Sequence, residues 1–105
     1  MGRAVEIARF KLAAGHSAED FVRANTDVDP WLQRQPGFVS RWMTFGDDGI
    51  LTDVVVWESV AHGEASAERL MVELAASPVH AVIDQRTVSW SVMPILHEVR
   101  RANAG

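Results

Sequence analysis

The stretch from residue 36 to 59, PGFVSRWMTFGDDGILTDVVVWES, decides how this chain is read. Two runs rich in β-branched and aromatic residues flank the turn sequence Asp47-Asp48-Gly49, and Trp57-Glu58-Ser59 follows as an exit. The pattern predicts a hairpin whose second strand, Ile50–Trp57, runs into a helix capped by Ser59. On that strand Leu51, Asp53, Val55 and Trp57 share one parity, and Ile50, Thr52, Val54 and Val56 share the other. Both are largely apolar, and a strand apolar on both sides needs cover on both. A chain of 105 residues has helix enough for one layer only. A second subunit is therefore expected to supply the other.

The flanking segments complete the pattern. Residues 5–12 alternate weakly and read as a first strand. After a loop over 13–16, Ser17 opens a helix, with Asp20 as its capping-box partner. Phe21, Ala24, Val28 and Trp31 or Leu32 recur at helical spacing. Asp29-Pro30 predicts a break and a fresh turn from Pro30, because proline disfavours a helical residue before it and removes a hydrogen bond. Beyond the hairpin, a helix runs from Ser59 to about Ala76, with Ala61, Ala65, Leu70, Met71 and Leu74 as its buried stripe. Ser77-Pro78 restarts a short helical turn over 79–84. Residues 87–93 form a last strand that Pro94 ends or marks as an edge, and residues 95–100 extend as an arm.

The order β-α-β-β-α-β predicts an α+β, ferredoxin-like fold across residues 1–105 as one domain. Its four-stranded antiparallel sheet has the order 4-1-3-2, with both helices on one face. The face left bare, expected to carry Phe38, Trp42 and Trp57, calls for a homodimer.

A two- or four-residue turn pairs Phe45 with Ile50, Trp42 with Asp53 and Phe38 with Trp57. Phe38, Ser40, Trp42, Thr44, Leu51, Asp53, Val55 and Trp57 then lie together. This mixture of large aromatics and polar groups suits a ligand cavity. The opposite set, Val39, Met43, Phe45, Ile50, Val54 and Val56, suits helix packing. Glu6, Ala8 and Phe10 join the cavity side, and Val5 and Ile7 the helix side. A three-residue turn would break this register. The parity of Val88, Trp90 and Val92 against Ser89 and Ser91 stays open.

Bulk composition narrows the function. Apolar residues make up 48% of the chain and charged ones 23%, an ordinary globular balance. The net charge of −4, without a basic run, argues against nucleic acid as a partner. There is no cysteine, which removes disulfides, thiolate catalysis and cysteine metal sites. No apolar run reaches the roughly 20 residues of a membrane span. The start, MGRAVEIARF, goes straight into an alternating strand and carries neither a signal-peptide nor a myristoylation pattern. A cytoplasmic protein with no membrane partner is expected. His16, His62, His80 and His97 show no ligand spacing, so no metal is expected. Asp47-Asp48-Gly49 is too short for a calcium loop, and no phosphate loop or nucleophile elbow is present.

Gly15-His16-Ser17, Pro36-Gly37-Phe38 and Trp57-Glu58-Ser59 give the chain a resemblance, over nearly its whole length, to the dimeric α/β-barrel superfamily. Within it the chain is most similar to the antibiotic-biosynthesis monooxygenase-like domain. The resemblance implies a homodimer whose sheets meet as a barrel, each subunit keeping a cavity between sheet and helices. Cofactor-free quinol and anthrone oxygenases of this kind carry an Asn where this chain has Asp53 and a Trp matching Trp57. They also use a Tyr, and this chain has none. Haem-degrading members need an Asn and a His at positions that fall near Ala8 and Asp84 here, so that activity is not implied.

Asp53 is the candidate catalytic residue: a carboxylate desolvated between Trp42, Val55 and Trp57 has a raised pKa and can act as a base. The alternative is a carboxylate satisfied by Ser40, Arg41 or Arg9. Trp57, Trp42, Phe38, Ser40, Glu6 and Phe10 are the candidate substrate-binding residues. Trp57 either stacks on a planar substrate or anchors the core. His80 sits at the cavity rim or on the helix surface. Two function classes follow. One is a cofactor-independent monooxygenase acting on an aromatic or quinol-type small molecule. The other is a non-catalytic or stress-related dimer that binds a small hydrophobic or aromatic ligand. A barrel-family isomerase is a distant third.

Overall fold

In the computed structural model, which describes residues 2–102, the chain runs β1 (Ala4–Lys11), α1 (Ala18–Ala24), α2 (Val28–Gln33), β2 (Phe38–Phe45), β3 (Ile50–Trp57), α3 (Val60–Glu73), α4 (Val79–Val82) and β4 (Ser89–Pro94). The four strands form one sheet in the order β2-β3-β1-β4, and every neighbouring pair is antiparallel. This is the ferredoxin-like arrangement the sequence predicts. Among the described residues no helix is long and apolar enough to cross a membrane.

Local chemistry explains the helix starts. Ser17 Oγ accepts from the Asp20 N–H while the Asp20 carboxylate accepts from the Ser17 N–H, a complete capping box. Ser59 Oγ accepts from the His62 N–H and opens α3. The break between α1 and α2 falls at 25–27, not before Pro30. Pro30 lies in the first turn of α2, where a missing N–H forfeits no helical hydrogen bond. The last strand likewise starts at Ser89 rather than residue 87, because Asp84 first caps a short 3-10 turn, Gln85–Thr87.

The hairpin departs from the expected register. Gly46 N–H donates to Ile50 O at 3.0 Å, leaving the three residues Asp47, Asp48 and Gly49 as the loop. Gly49 takes φ +78°, the left-handed position that a three-residue hairpin loop needs. Phe45 therefore pairs with Leu51 instead of Ile50, and Trp42 with Val54 instead of Asp53. A bulge between Phe38 and Ser40 then absorbs the extra residue, so Phe38 still faces Trp57.

The helices lie on the face of Leu51, Val55 and Trp57, not on the face of Ile50 and Val56. Phe10, Leu51, Val55 and Trp57 from the sheet form the core with Phe21, Val28, Trp31, Leu32, Val79 and Val82 from the helices. The fit comes from large residues on the sheet and small ones on α3. Gly63 and Ser66 are the buried positions of α3, whereas Ala61 and Met71 of the expected stripe are exposed. A Cβ at Gly63 would stand 2.9 Å from Trp57 Cδ1 and 3.2 Å from Val92 Cγ1, so only glycine lets α3 approach this closely. On β4, Trp90 and Val92 pair with Ala8 and Glu6 and so share their face.

The opposite face carries Val5, Ile7, Trp42, Ile50, Val54, Val56 and Met93 and, among the described residues, has no helix over it. Of the three residues expected there, only Trp42 is present; Phe38 and Trp57 point to the helices. Trp42 is 52% exposed.

Trp57 is fully buried, with Phe38 edge-on at a ring-centroid distance of 5.8 Å. Trp57→Ala is expected to cost about 3–5 kcal/mol of stability, the range for a buried large aromatic cut to alanine. Urea melts of both proteins measure it. A loss below about 1 kcal/mol would contradict this packing.

Candidate functional site

Asp53 projects from the middle of β3 toward the helices, where Arg41 from the neighbouring strand meets it. Arg41 Nε donates to Asp53 Oδ1 at 3.0 Å and Nη2 to Oδ2 at 2.7 Å, a two-point fork on one carboxylate. Arg41 Nη1 also donates to Asp29 Oδ1 on α2 at 2.8 Å. The Arg41 and Asp53 side chains are only 10% and 14% exposed. Burial works against the charge on Arg41, but the Asp53 hydrogen bonds and the charges of Asp53 and Asp29 outweigh it and hold the guanidinium pKa above its ordinary value. Asp53 is thus an ion-pair partner, the alternative weighed above, and not an isolated carboxylate among tryptophans.

Behind this pair lies a cavity of ≈ 190 Å³ between sheet and helices. Ala8, Phe10, Phe21, Val28, Leu70 and Val79 supply much of its apolar wall; Arg41, Asp53, Asn25, His80 and Gln85 supply the polar points. His80 Nε2 lies 2.9 Å from Leu74 O. A carbonyl only accepts, so Nε2 carries the hydrogen and Nδ1 is the ring nitrogen left to accept. Asn25 is 1% exposed; its Nδ2 donates to Phe21 O at 2.7 Å.

Leu70, Met71, Gln85 and Val88 also border a wider groove of ≈ 640 Å³, which Glu6, Glu64, Glu68 and Trp90 complete. Glu6 is fixed there by two indoles: Trp57 Nε1 donates to Oε1 at 2.8 Å and Trp90 Nε1 to Oε2 at 2.7 Å. A third hollow, of ≈ 530 Å³, follows the outer edge strand β2 past Asp29, Phe38, Ser40 and Trp42. It is larger than the inner cavity, but its carboxylate, Asp29, is 57% exposed, whereas Asp53 of the inner cavity is 14% exposed.

The candidate residues therefore divide. Asp53 and Phe10 line the inner cavity, and Glu6 lines the groove beside it. Trp57 lies within the core next to Phe38 and walls neither space. Ser40 and Trp42 lie on the other sheet face, a consequence of the three-residue loop. Asn25, Arg41 and His80 complete the cavity. Asn25 had a signal in the sequence: it falls four residues after Phe21 and three before Val28, a polar residue on an apolar helical stripe. Arg41 enters the sequence reading only as one of three possible partners for Asp53, because its face depends on the bulge. Among the described residues no group of three or more His, Asp or Glu side chains is placed to hold a metal ion.

Asp53→Asn weakens the fork and leaves Arg41 to Asp29, whose side chain is 57% exposed. Stability is expected to fall by about 1.5–3 kcal/mol, the worth of hydrogen bonds to a charged group. Chemical denaturation measures it. Unchanged or raised stability would mean that the carboxylate is not held by Arg41.

No family model matches the chain, and no curated protein matches it in sequence. Solved structures do match. SnoaB, a cofactor-independent oxygenase from Streptomyces nogalater, is similar with a TM-score of 0.73 at 14% identity, over 96% of this chain and 100% of its own. A protein from Nitrosomonas europaea provisionally named an antibiotic biosynthesis monooxygenase gives 0.69 at 14% identity, over 92% of this chain and 94% of its own. Rv0793 from Mycobacterium tuberculosis gives 0.69 at 17% identity, over 94% and 100%. At these identities the likeness is one of fold: the chain has the ferredoxin-like architecture of the antibiotic biosynthesis monooxygenase-like proteins.

Proposed function

We propose that the protein is a cofactor-independent monooxygenase that binds an aromatic or quinol-type small molecule between sheet and helices. The observation that carries this reading is the inner cavity, apolar over most of its wall, with proton-accepting groups brought to it from β3 and α4. Its fold likeness to an oxygenase that works without a cofactor adds an argument by analogy.

Such chemistry asks little of a protein. An anthrone-type CH₂ becomes a carbonyl, or a hydroquinone becomes a hydroxyquinone; in either case one atom of O₂ enters the product and the other leaves as water, so the substrate supplies all the electrons. The protein's part is to exclude water, hold the ring and take the phenolic proton. Asp53 was the expected base, but both its oxygens accept from Arg41, and accepting a proton there means breaking the fork. His80, with Nδ1 left to accept, fits the role better. Asp53 and Arg41 then form a fixed polar wall beside the ring.

The pairing of Asp53 also favours a second reading, a small-molecule-binding protein without catalysis. Oxygen uptake with a panel of hydroquinones, from one ring to three, separates the two. Steady consumption is expected, and His80→Ala is expected to lower it by roughly 10²–10⁴-fold while ligand binding survives. Equal consumption by His80→Ala would remove the base role. Binding without consumption by the wild type would favour the second reading.

The reading includes a second copy over the bare sheet face, because apolar patches larger than a few hundred Å² rarely stay exposed. Sedimentation equilibrium at micromolar concentration is expected to give twice the chain mass. A monomer would contradict it.

A further inference from the structure

We propose that Asn25 selects the ligand's donor: its side-chain oxygen takes a hydroxyl from a ligand whose leading part is a single ring. The proposal rests on the inner cavity as the ligand site and adds which group the cavity recognises.

Asn25 Oδ1 is buried and has no hydrogen-bond partner among the described residues. Native proteins seldom leave such an atom unpaired. The orientation of the amide follows from chemistry. The atom 2.7 Å from Phe21 O must be the nitrogen, since two acceptors do not pair, so the oxygen is the end left over. Asn25 belongs to the cavity wall. The other polar groups there are already engaged: Arg41 with Asp53, His80 Nε2 with Leu74 O, and Gln85 Nε2 with His80 O. The unmet demand is therefore for donors, at His80 Nδ1 and at Asn25 Oδ1, and of the two Asn25 Oδ1 is the buried one. A hydroxyl satisfies it; a methyl ether of the same shape does not.

Volume sets the size of what enters. A cavity of about 150 Å³ lined by aliphatic and aromatic side chains holds benzene. At ≈ 190 Å³ this one holds one ring with its hydroxyl. Further rings would lie past Leu70, Met71, Gln85 and Val88, in the groove beneath Trp90.

The test is binding under nitrogen, where no turnover occurs, with 4-ethylphenol, 4-ethylanisole and 4-ethyltoluene. Wild type is expected to bind the phenol about 10-fold more tightly than either analogue, the reach of one hydrogen bond. In Asn25→Leu the ratio is expected to fall severalfold, with the toluene bound at least as well as by wild type. Should that variant not fold, the side-chain amide NMR signal of Asn25 in wild type decides instead. It is expected to shift with saturating 4-ethylphenol and not with 4-ethyltoluene. Equal affinities in wild type, an unchanged ratio in folded Asn25→Leu, or an amide signal unmoved by the phenol would each overturn the proposal. Absence of oxygen uptake together with the expected selectivity would overturn the oxygenase reading and leave this one standing.

Discussion

The burial of the Trp57 indole is the constraint on which the rest of this structure depends. A buried indole N–H needs an acceptor, and Glu6 on the adjacent strand supplies it. The second oxygen of Glu6 takes the N–H of Trp90, so one carboxylate joins β3 to β1 and β4. Phe38 on β2 closes the other side of the ring, and Gly63 lets α3 lie directly on it. All four strands and the longest helix are thus registered against one side chain. Gly37 serves the same junction: its φ is +81°, and a Cβ there would collide with the His62 ring on α3. With the Trp57 end of the sheet filled, open space remains toward Asp53, Ala8 and Phe10, where the inner cavity lies.

Arg41 governs that second region. It crosses from β2 to Asp53 on β3 and to Asp29 on α2, tying the edge strand to the helical layer. Phe38 and Arg41 are three residues apart, an odd spacing that in a regular strand puts them on opposite faces. The bulge between Phe38 and Ser40 brings both to the helix side. One irregularity therefore lets β2 serve the core with an aromatic and the site with a cation. The ion pair gives the cavity a polar wall without a net charge to be solvated by the ligand.

Much of the fold was legible in the sequence because local signals agreed. Ser17 with Asp20, Ser59 before an apolar helix, and the turn between two β-rich runs each name their own element, and the topology follows from their order. Register was less legible. Asp47-Asp48-Gly49 fits loops of different lengths, and nothing in the sequence around Val39 marks a bulge, so Trp42 and Ser40 were assigned to the wrong face. The site was legible only in part. Asp53 and Phe10 were found because parity along their own strands placed them. The Glu6 clasp joins residues 51 and 84 positions apart, and no local pattern encodes that. His80 and Asn25 reach the cavity through the packing of α4 and α1 on the sheet, which their places on their own helices do not by themselves reveal.

The central claim is that the space between sheet and helices, and not the hollow along β2 or the bare sheet face, receives the ligand. A crystal structure of the protein soaked with 1,4-dihydroxynaphthalene under nitrogen tests it most directly. The account predicts one ring bounded by Phe10, Phe21, Asp53 and His80, with a hydroxyl within hydrogen-bond distance of Asn25 and the second ring toward Trp90. Density only along β2 beside Ser40 and Trp42, or an inner cavity that stays empty at saturating ligand, would contradict it.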